Sequence, residues 1–520
     1  MVLLPTRIRI RRNNDLDGGN IKKKRFKYIY IMEKQRDKSN LQSPSAMGKE
    51  GATQCTTIIV GENQTADGSR ILARSEDFDA LRTKNFIVRE DTENGPEEFV
   101  AADSTFRCPL PKKAFGYTGM PDYQYHNEWG SAGWNTAGVG ESSTETIFSS
   151  PEALAADPYV EGGLSECCTY NTVLPYIKTA REGVERLGAM IEKYGSAEGF
   201  GIGFIDNKET WYLENAGGHR WLACRMPADK YFVTGNQSRY RKYDPNDKEN
   251  FMASADLIEF AEKNGLYDPK KGEFDFHEAY SKDDIADTTY NYPRVWGLQG
   301  MFSPDLKNDV TKNTFPVFAD ADHKLSIADI RHAFRFHYDG TKHDPYLHNN
   351  GKEPYRPVSI FRTTQTHILQ NRPWLPKEIG CLTYVAEGMA DLGVFLPLYQ
   401  GVHKFPEPYY LGDENCSDDS AYWTFRKVMA LGMVNYNAYA PVIKETYAYL
   451  EQENDQRQKE MEEDYVGLVK AGHTMAAHDL LQDFSDRTLS HALEVAHDLE
   501  NRLFTRLTAD IQKEYLFHGA

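Results

Sequence analysis

The chain has 520 residues with 40% hydrophobic and 12% aromatic content, the composition of a folded protein, which excludes extensive disorder along its length. Its formal net charge of −17 is unevenly spread: residues 1–46 carry twelve Lys and Arg against four acids, a net of +8, which leaves −25 on the remainder. So acidic a body argues against nucleic acid or an anionic membrane surface as a partner, since both are held by clustered positive charge, and no run of about 18 apolar residues offers a membrane span.

Residues 1–54 read as a leader or propeptide that is removed, or as a mis-assigned start with Met32 and Met47 as alternatives. The basic cluster at 22–27 is followed only by "YIYIM", shorter than the roughly 7-residue apolar core of a secretion signal. At Cys55 the pattern changes. "CTTIIVGE" is rich in β-branched residues, "NQTADGS" is a turn cluster and "RILARSED" resumes the strand pattern, so 55–77 predicts a hairpin. A second β-rich region spans about 115–148, where glycines inside "WGSAGWNTAGVGESSTETIF" signal close backbone approach. Apolar Val173, Ile177, Val184, Leu187 and Ile191 predict a helix over 172–194 that stops at Gly195.

The runs "FGIGFIDN", "TWYLENAGG" and "HRWLACRM", leading into "KYFVTGNQSR", predict consecutive antiparallel strands. "GFGIG" lacks the Lys and the helix opening of a phosphate loop. Residues 240–380 read as short helical pieces alternating with loops, and 420–450 and 475–516 as helices. The expectation is an α+β domain over 55–520 with a helical C-terminal region at about 420–516.

Seven cysteines (55, 108, 167, 168, 224, 381 and 416) are too sparse and irregular for a disulfide framework, and reduced thiols in a cytoplasm are the simplest account. Fifteen His without HExxH or a Cys/His ligand spacing give no metal motif, and no cofactor is expected.

By residue type alone, a lone strand cysteine such as Cys55 is a small buried hydrophobe. A thiol of pKa about 8.5 needs a base or a positive field to become a nucleophile, and no His lies near Cys55 in sequence. A second solution exists: cleavage before the cysteine frees an α-amine of pKa about 7.7–8.0, which can take the thiol proton itself. Asp77 could then orient the α-ammonium and Arg74 lower the thiol pKa, both on the returning strand of the hairpin.

At these residues the sequence resembles the N-terminal-nucleophile cysteine dipeptidases of the lactobacillal dipeptidase A type, with the secernins as relatives. The likeness is carried by "CTTIIVG", "DGSRILARSEDF", "NTAGVGESSTET", "YFVTGNQSR", "QTHILQNRPWLPKEIG" and "YWTFRKVMALGMVNYNAY". More distantly, Cys followed by Arg-x-x-Asp is similar to penicillin V acylases and bile salt hydrolases, whose fold is a four-layer αββα sandwich. The resemblance implies that fold, Cys55 as nucleophile, Arg74 and Asp77 as its neighbours, and Asn236 as an active-site amide suited to an oxyanion. It also implies Glu145, where bile salt hydrolases place a second Asn, as a carboxylate for a substrate ammonium, and Arg294 as a further site arginine.

The expected function is a self-processed cysteine dipeptidase acting on small peptides, with homo-oligomerisation left open. The alternatives are an acylase, and a secernin-like protein that keeps the fold but acts through interactions.

Overall fold

The computed structural model describes residues 55–102, 104–123, 130–346 and 353–515, with Thr144 and Glu145 described by backbone alone. The expected leader, 1–54, therefore lies outside the described residues.

The first hairpin forms as read: β1 (Thr56–Val60) and β2 (Arg70–Asp77) pair antiparallel, with Thr57 opposite Arg74. Its turn is closed by Asp67, whose Oδ1 accepts from the Ser69 amide at 3.0 Å and the Ser69 hydroxyl at 2.6 Å. Two small ribbons follow, β3 (Ile87–Arg89) with β6 (Tyr117–Gly119) around β4 (Glu98–Val100) with β5 (Arg107–Pro109). Strands β7 (Ala132–Trp134), β8 (Gly140–Thr146), β9 (Phe200–Ile205), β10 (Thr210–Ala216) and β11 (Arg220–Arg225) then build a sheet, to which β13 (Phe251–Ala253) adds an edge. The strand between them in sequence, β12 (Tyr231–Thr234), does not continue that sheet. It crosses to the edge of the first one and pairs with β1, so the order there is β12-β1-β2, completed by β14 (Thr363–Asn371), β15 (Cys381–Glu387) and β16 (Leu396–Tyr399).

These two six-stranded antiparallel sheets pack face to face, and Ile59, Leu72, Trp134, Ile205, Phe232 and Leu369 belong to the apolar cluster between them. Helix Ala180–Tyr194 covers the outer face of one sheet with Val184, Leu187 and Ile191. Helices Tyr292–Phe302, Ala421–Val434 and Thr474–Glu514 lie on the other, over Ile58, Val60 and Ala73. The four-layer αββα sandwich with a helical C-terminal part is thus present.

Three expectations need correction. The helix read over 172–194 is two: Glu166–Val173 ends in a 3₁₀ turn at Pro175, and Ala180–Tyr194 restarts where Thr179 accepts from the Glu182 amide and stops at Gly195, φ 73°. Within 240–380, β14 is a buried nine-residue strand in the middle of its sheet. The helix beginning at Tyr436 runs to Lys470, well past 450, because polar Asn454 and Gln458 share its buried stripe with Leu450, Met461 and Tyr465.

Candidate active site

Cys55 immediately precedes β1 and is fully buried. β1 lies between β12 and β2, so residues just beyond the end of each neighbour come close to it. Arg294, three residues into helix Tyr292–Phe302, reaches this point from the helix layer and is fully buried. Its Nη1 donates to the Cys55 carbonyl at 2.5 Å and to Thr56 Oγ1 at 2.9 Å, while Nη2 donates to Asn236 Oδ1 at 2.9 Å. One guanidinium therefore joins Cys55 to Asn236.

Asn236 is delivered by the crossing of β12, which ends two residues earlier at Thr234. Its Nδ2 donates to the Thr146 carbonyl at 3.0 Å, at the end of β8, so the amide spans the two sheets. Glu145 precedes that carbonyl, opposite Gly201 and just after an irregularity in the β8–β9 pairing. The side chain of Glu145 lies outside the described residues.

Arg74 and Asp77 flank the start of β1 from opposite faces of β2, as a separation of three residues on a strand dictates. Arg74 turns toward the second sheet, where its Nε donates to Thr57 Oγ1 at 3.0 Å and its Nη2 to the Gly201 carbonyl at 3.1 Å. Asp77 turns toward the helix layer. There Thr363 Oγ1 donates to it at 2.5 Å, and Arg356 forms a buried ion pair with its other oxygen. The Tyr290 ring centroid lies 5.3 Å from the Arg294 guanidinium carbon and 5.6 Å from that of Arg356. Thus Arg294 and Asn236 meet at Cys55, Arg74 holds the strand on one face, and Asp77 is held by partners on the other.

Several site groups were not singled out from sequence. Asn291 sits between Asn236 and Arg294, Arg356 holds Asp77, and His367 on β14 is the strand partner of Arg74. His367 shares a 2.8 Å hydrogen bond with Ser142 Oγ, and burial, with Arg74 and Lys84 nearby, drives its pKa well below the ordinary value, so the ring is neutral. Glu76, next to Asp77, keeps its charge although burial opposes it, because Lys84 Nζ lies 2.6 Å away. Lys84 is held in turn by Asp122 at 2.5 Å and Ser131 Oγ at 2.8 Å. Burial pushes the Glu141 carboxyl up to about 8 against the field of Arg74. None of these shows a sequence signal beyond a polar residue in a strand, turn or loop, since each acquires its partner through tertiary pairing.

Among the described residues no group of three or more His, Cys, Asp or Glu could hold a metal ion.

Residues 54–448 match the family model described as "Peptidase family C69". The chain is 51% identical over 362 residues to a Salmonella dublin protein named "Probable dipeptidase", covering 69% of this chain and 83% of the relative. It is 36% identical over 391 residues to "Probable dipeptidase A" of Streptococcus pyogenes serotype M3, covering 74% and 84%. Against "Dipeptidase A" of Lactobacillus helveticus it is 33% identical over 397 residues, covering 74% and 83%. A solved structure of a mutant conjugated bile acid hydrolase from Clostridium perfringens aligns over 66% of this chain and 92% of its own, at 13% identity and a TM-score of 0.30.

Proposed function

The chain belongs to peptidase family C69, and on that premise we propose that it hydrolyses dipeptides with Cys55 as an N-terminal nucleophile. The observation that carries this reading is the buried Arg294 guanidinium, which holds the Cys55 carbonyl and the Asn236 amide together at the head of β1. In the proposed reaction the α-amine of Cys55 takes the thiol proton and the thiolate attacks the substrate carbonyl. Asn236 and neighbouring backbone amides receive the oxyanion. Collapse of the tetrahedral intermediate breaks the C–N bond as the α-ammonium protonates the leaving amine, and water then cleaves the thioester with the same amine as base.

This chemistry requires a free α-amine on Cys55. We propose that it arises by attack of the Cys55 thiol on the Gln54 carbonyl, which moves the acyl group from nitrogen to sulfur as the Gln54–Cys55 C–N bond breaks and the nitrogen takes the thiol proton. Water then hydrolyses the thioester, returning the thiol and releasing the leader as a carboxylic acid. Arg74 contributes positive charge on one side of β1, and Asp77 orients the α-ammonium from the other. Asp77 suits that role because Arg356 and Thr363 already fix its carboxylate. Glu145 is assigned to the free ammonium of the substrate. We place the reaction in the cytoplasm, in keeping with the sparse, irregular set of seven cysteines, six of them buried. Among the described residues no helix is long and apolar enough to cross a membrane.

Steady-state hydrolysis of a dipeptide by the wild type, Cys55→Ala and Asn236→Ala tests the reading. The expected result is no turnover for Cys55→Ala and a kcat reduced about 10²–10³-fold for Asn236→Ala, the loss typical of one oxyanion donor. Unchanged turnover by Cys55→Ala would remove Cys55 from the chemistry.

A further inference from the structure

We propose that Asn291 is a positioning residue for this hydrolysis: through one amide it sets the direction of the Arg294 guanidinium and the backbone of Asn236. The inference rests on the reading of Cys55 as nucleophile, and it concerns a residue that touches neither the nucleophile nor its carbonyl in the contacts described above.

Four hydrogen bonds are described for this one buried side chain, two at each end. Its Oδ1 accepts from the Asn236 backbone amide at 3.1 Å and from Arg294 Nη2 at 2.5 Å. Its Nδ2 donates to the Asn236 carbonyl at 3.2 Å and to Asp287 Oδ1 at 2.6 Å. An Asn amide has two donors, and its oxygen two lone pairs, so this set uses the side chain completely. The orientation is forced by chemistry. Arg294 can only donate, and the Asp287 carboxylate, which also takes the Asp284 backbone amide at 2.7 Å, accepts at both oxygens.

Asn291 occupies the residue before helix Tyr292–Phe302, where an Asn side chain ordinarily caps the first free amides of the helix. Here it makes no such cap, and its own backbone is helical at φ −92° and ψ −50°. The side chain is therefore committed to Asn236 and Arg294 in place of the helix end. Asn236 is gripped at both its amide and its carbonyl, the two ends of a residue whose side chain is to meet an oxyanion. Arg294 reaches the Cys55 carbonyl through its other nitrogen, so a rotation of its guanidinium would move both contacts at once. Buried Asp287 anchors the assembly from behind, and the short helical turn that carries it is closed by a capping box with Asp284.

The test compares wild type, Cys55→Ala, Asn291→Ala and Asn291→Asp for kcat and KM on one dipeptide and for thermal stability. Loss of positioning in Asn291→Ala should lower kcat at least about tenfold with KM within about twofold, the signature of contacts used in the transition state. Asn291→Asp keeps both acceptor contacts and the shape, so it carries the test if the Ala variant does not fold. Its second oxygen cannot donate to the Asn236 carbonyl and shares a proton with Asp287, so the hold on that carbonyl is lost while Arg294 keeps its acceptor, and kcat should again fall with KM within about twofold. A purely structural Asn291 would lower thermal stability in both variants and leave kcat per folded molecule within about twofold, and that result overturns the proposal. If Cys55→Ala is inactive while both Asn291 variants behave as wild type, only this inference fails. Wild-type turnover by Cys55→Ala would overturn the nucleophile reading, and this inference with it.

Discussion

Gly235 has no side chain, and Arg294 lies where one would be: a Cβ there would come within 2.7 Å of Nη2 and 2.8 Å of the guanidinium carbon. The glycine of "VTGNQ" thus has a physical reason, since the β12 backbone must pass against a buried cation that a larger residue would displace. Replacing it, Gly235→Ala, should lower kcat at least about tenfold while the protein still folds, because Arg294 must give way and its contacts to Cys55 and Asn236 go with it. Activity within twofold of wild type would contradict that. At this scale Cys55 and Asn236 were named from short runs that carry the resemblance and Arg294 from a looser match, and the structure brings the three together at the head of β1. Asn291, Arg356 and His367 were not named, because their partners come from strands or loops far away in sequence, and a polar residue alone carries no sign of which one it will meet. Arg74 and Asp77 were read as neighbours of the start of the first strand, and strand alternation, which sends residues three apart to opposite faces, brings them to it from the two sides of β2.

The elements were legible wherever a period or a cap was clean. The first hairpin, strands β9 to β11 and the stop at Gly195 follow from β-branched runs, turn clusters and a glycine with positive φ. β14 escaped because "TTQTHILQN" is buried on both faces yet mostly polar, so neither alternation nor an apolar run marks it. Its polar side chains are satisfied across the sheet, as with Gln365 Nε2 to Glu76 at 3.1 Å, which sequence cannot anticipate. The crossing of β12 into the other sheet was equally hidden, although it is what carries Asn236 to the head of β1. Helix Ala180–Tyr194 offers a test of packing between layers. Gly188 lies so close to the Trp221 indole that any Cβ would overlap it. Gly188→Ala should therefore cost about 1–3 kcal/mol despite the better helix propensity of Ala. Denaturant unfolding reads this directly, and a stabilised variant would show that the indole moves freely.

For the molecule as a whole, the buried carboxyls Glu141 and Glu387 make stability depend on pH. Burial pushes each up to about 8 from an ordinary 4.5, opposed at Glu387 by the nearby Arg426 charge. A carboxyl whose folded pKa is raised binds its proton more tightly in the folded state, so its contribution is complete below about pH 4.5 and is lost as pH rises toward 8. Glu387→Gln, on β15 and separated from β1 by β2 and β14, should flatten the decline in melting temperature between pH 5 and 8, whereas an unchanged slope would exclude Glu387 as a source. At this scale the helical C-terminal part was expected from periodicity, whereas the αββα layering was expected from the resemblance alone, since hydrophobic pattern does not reveal which sheet a strand joins. The central claim, that Cys55 works as a freed N-terminal residue, is tested most directly by intact mass and N-terminal sequencing of purified wild type and Cys55→Ala. Wild type should begin at Cys55, and the variant should keep residues before it. An active wild type that retains residues ahead of Cys55 would have no free α-amine there, and the mechanism would be contradicted.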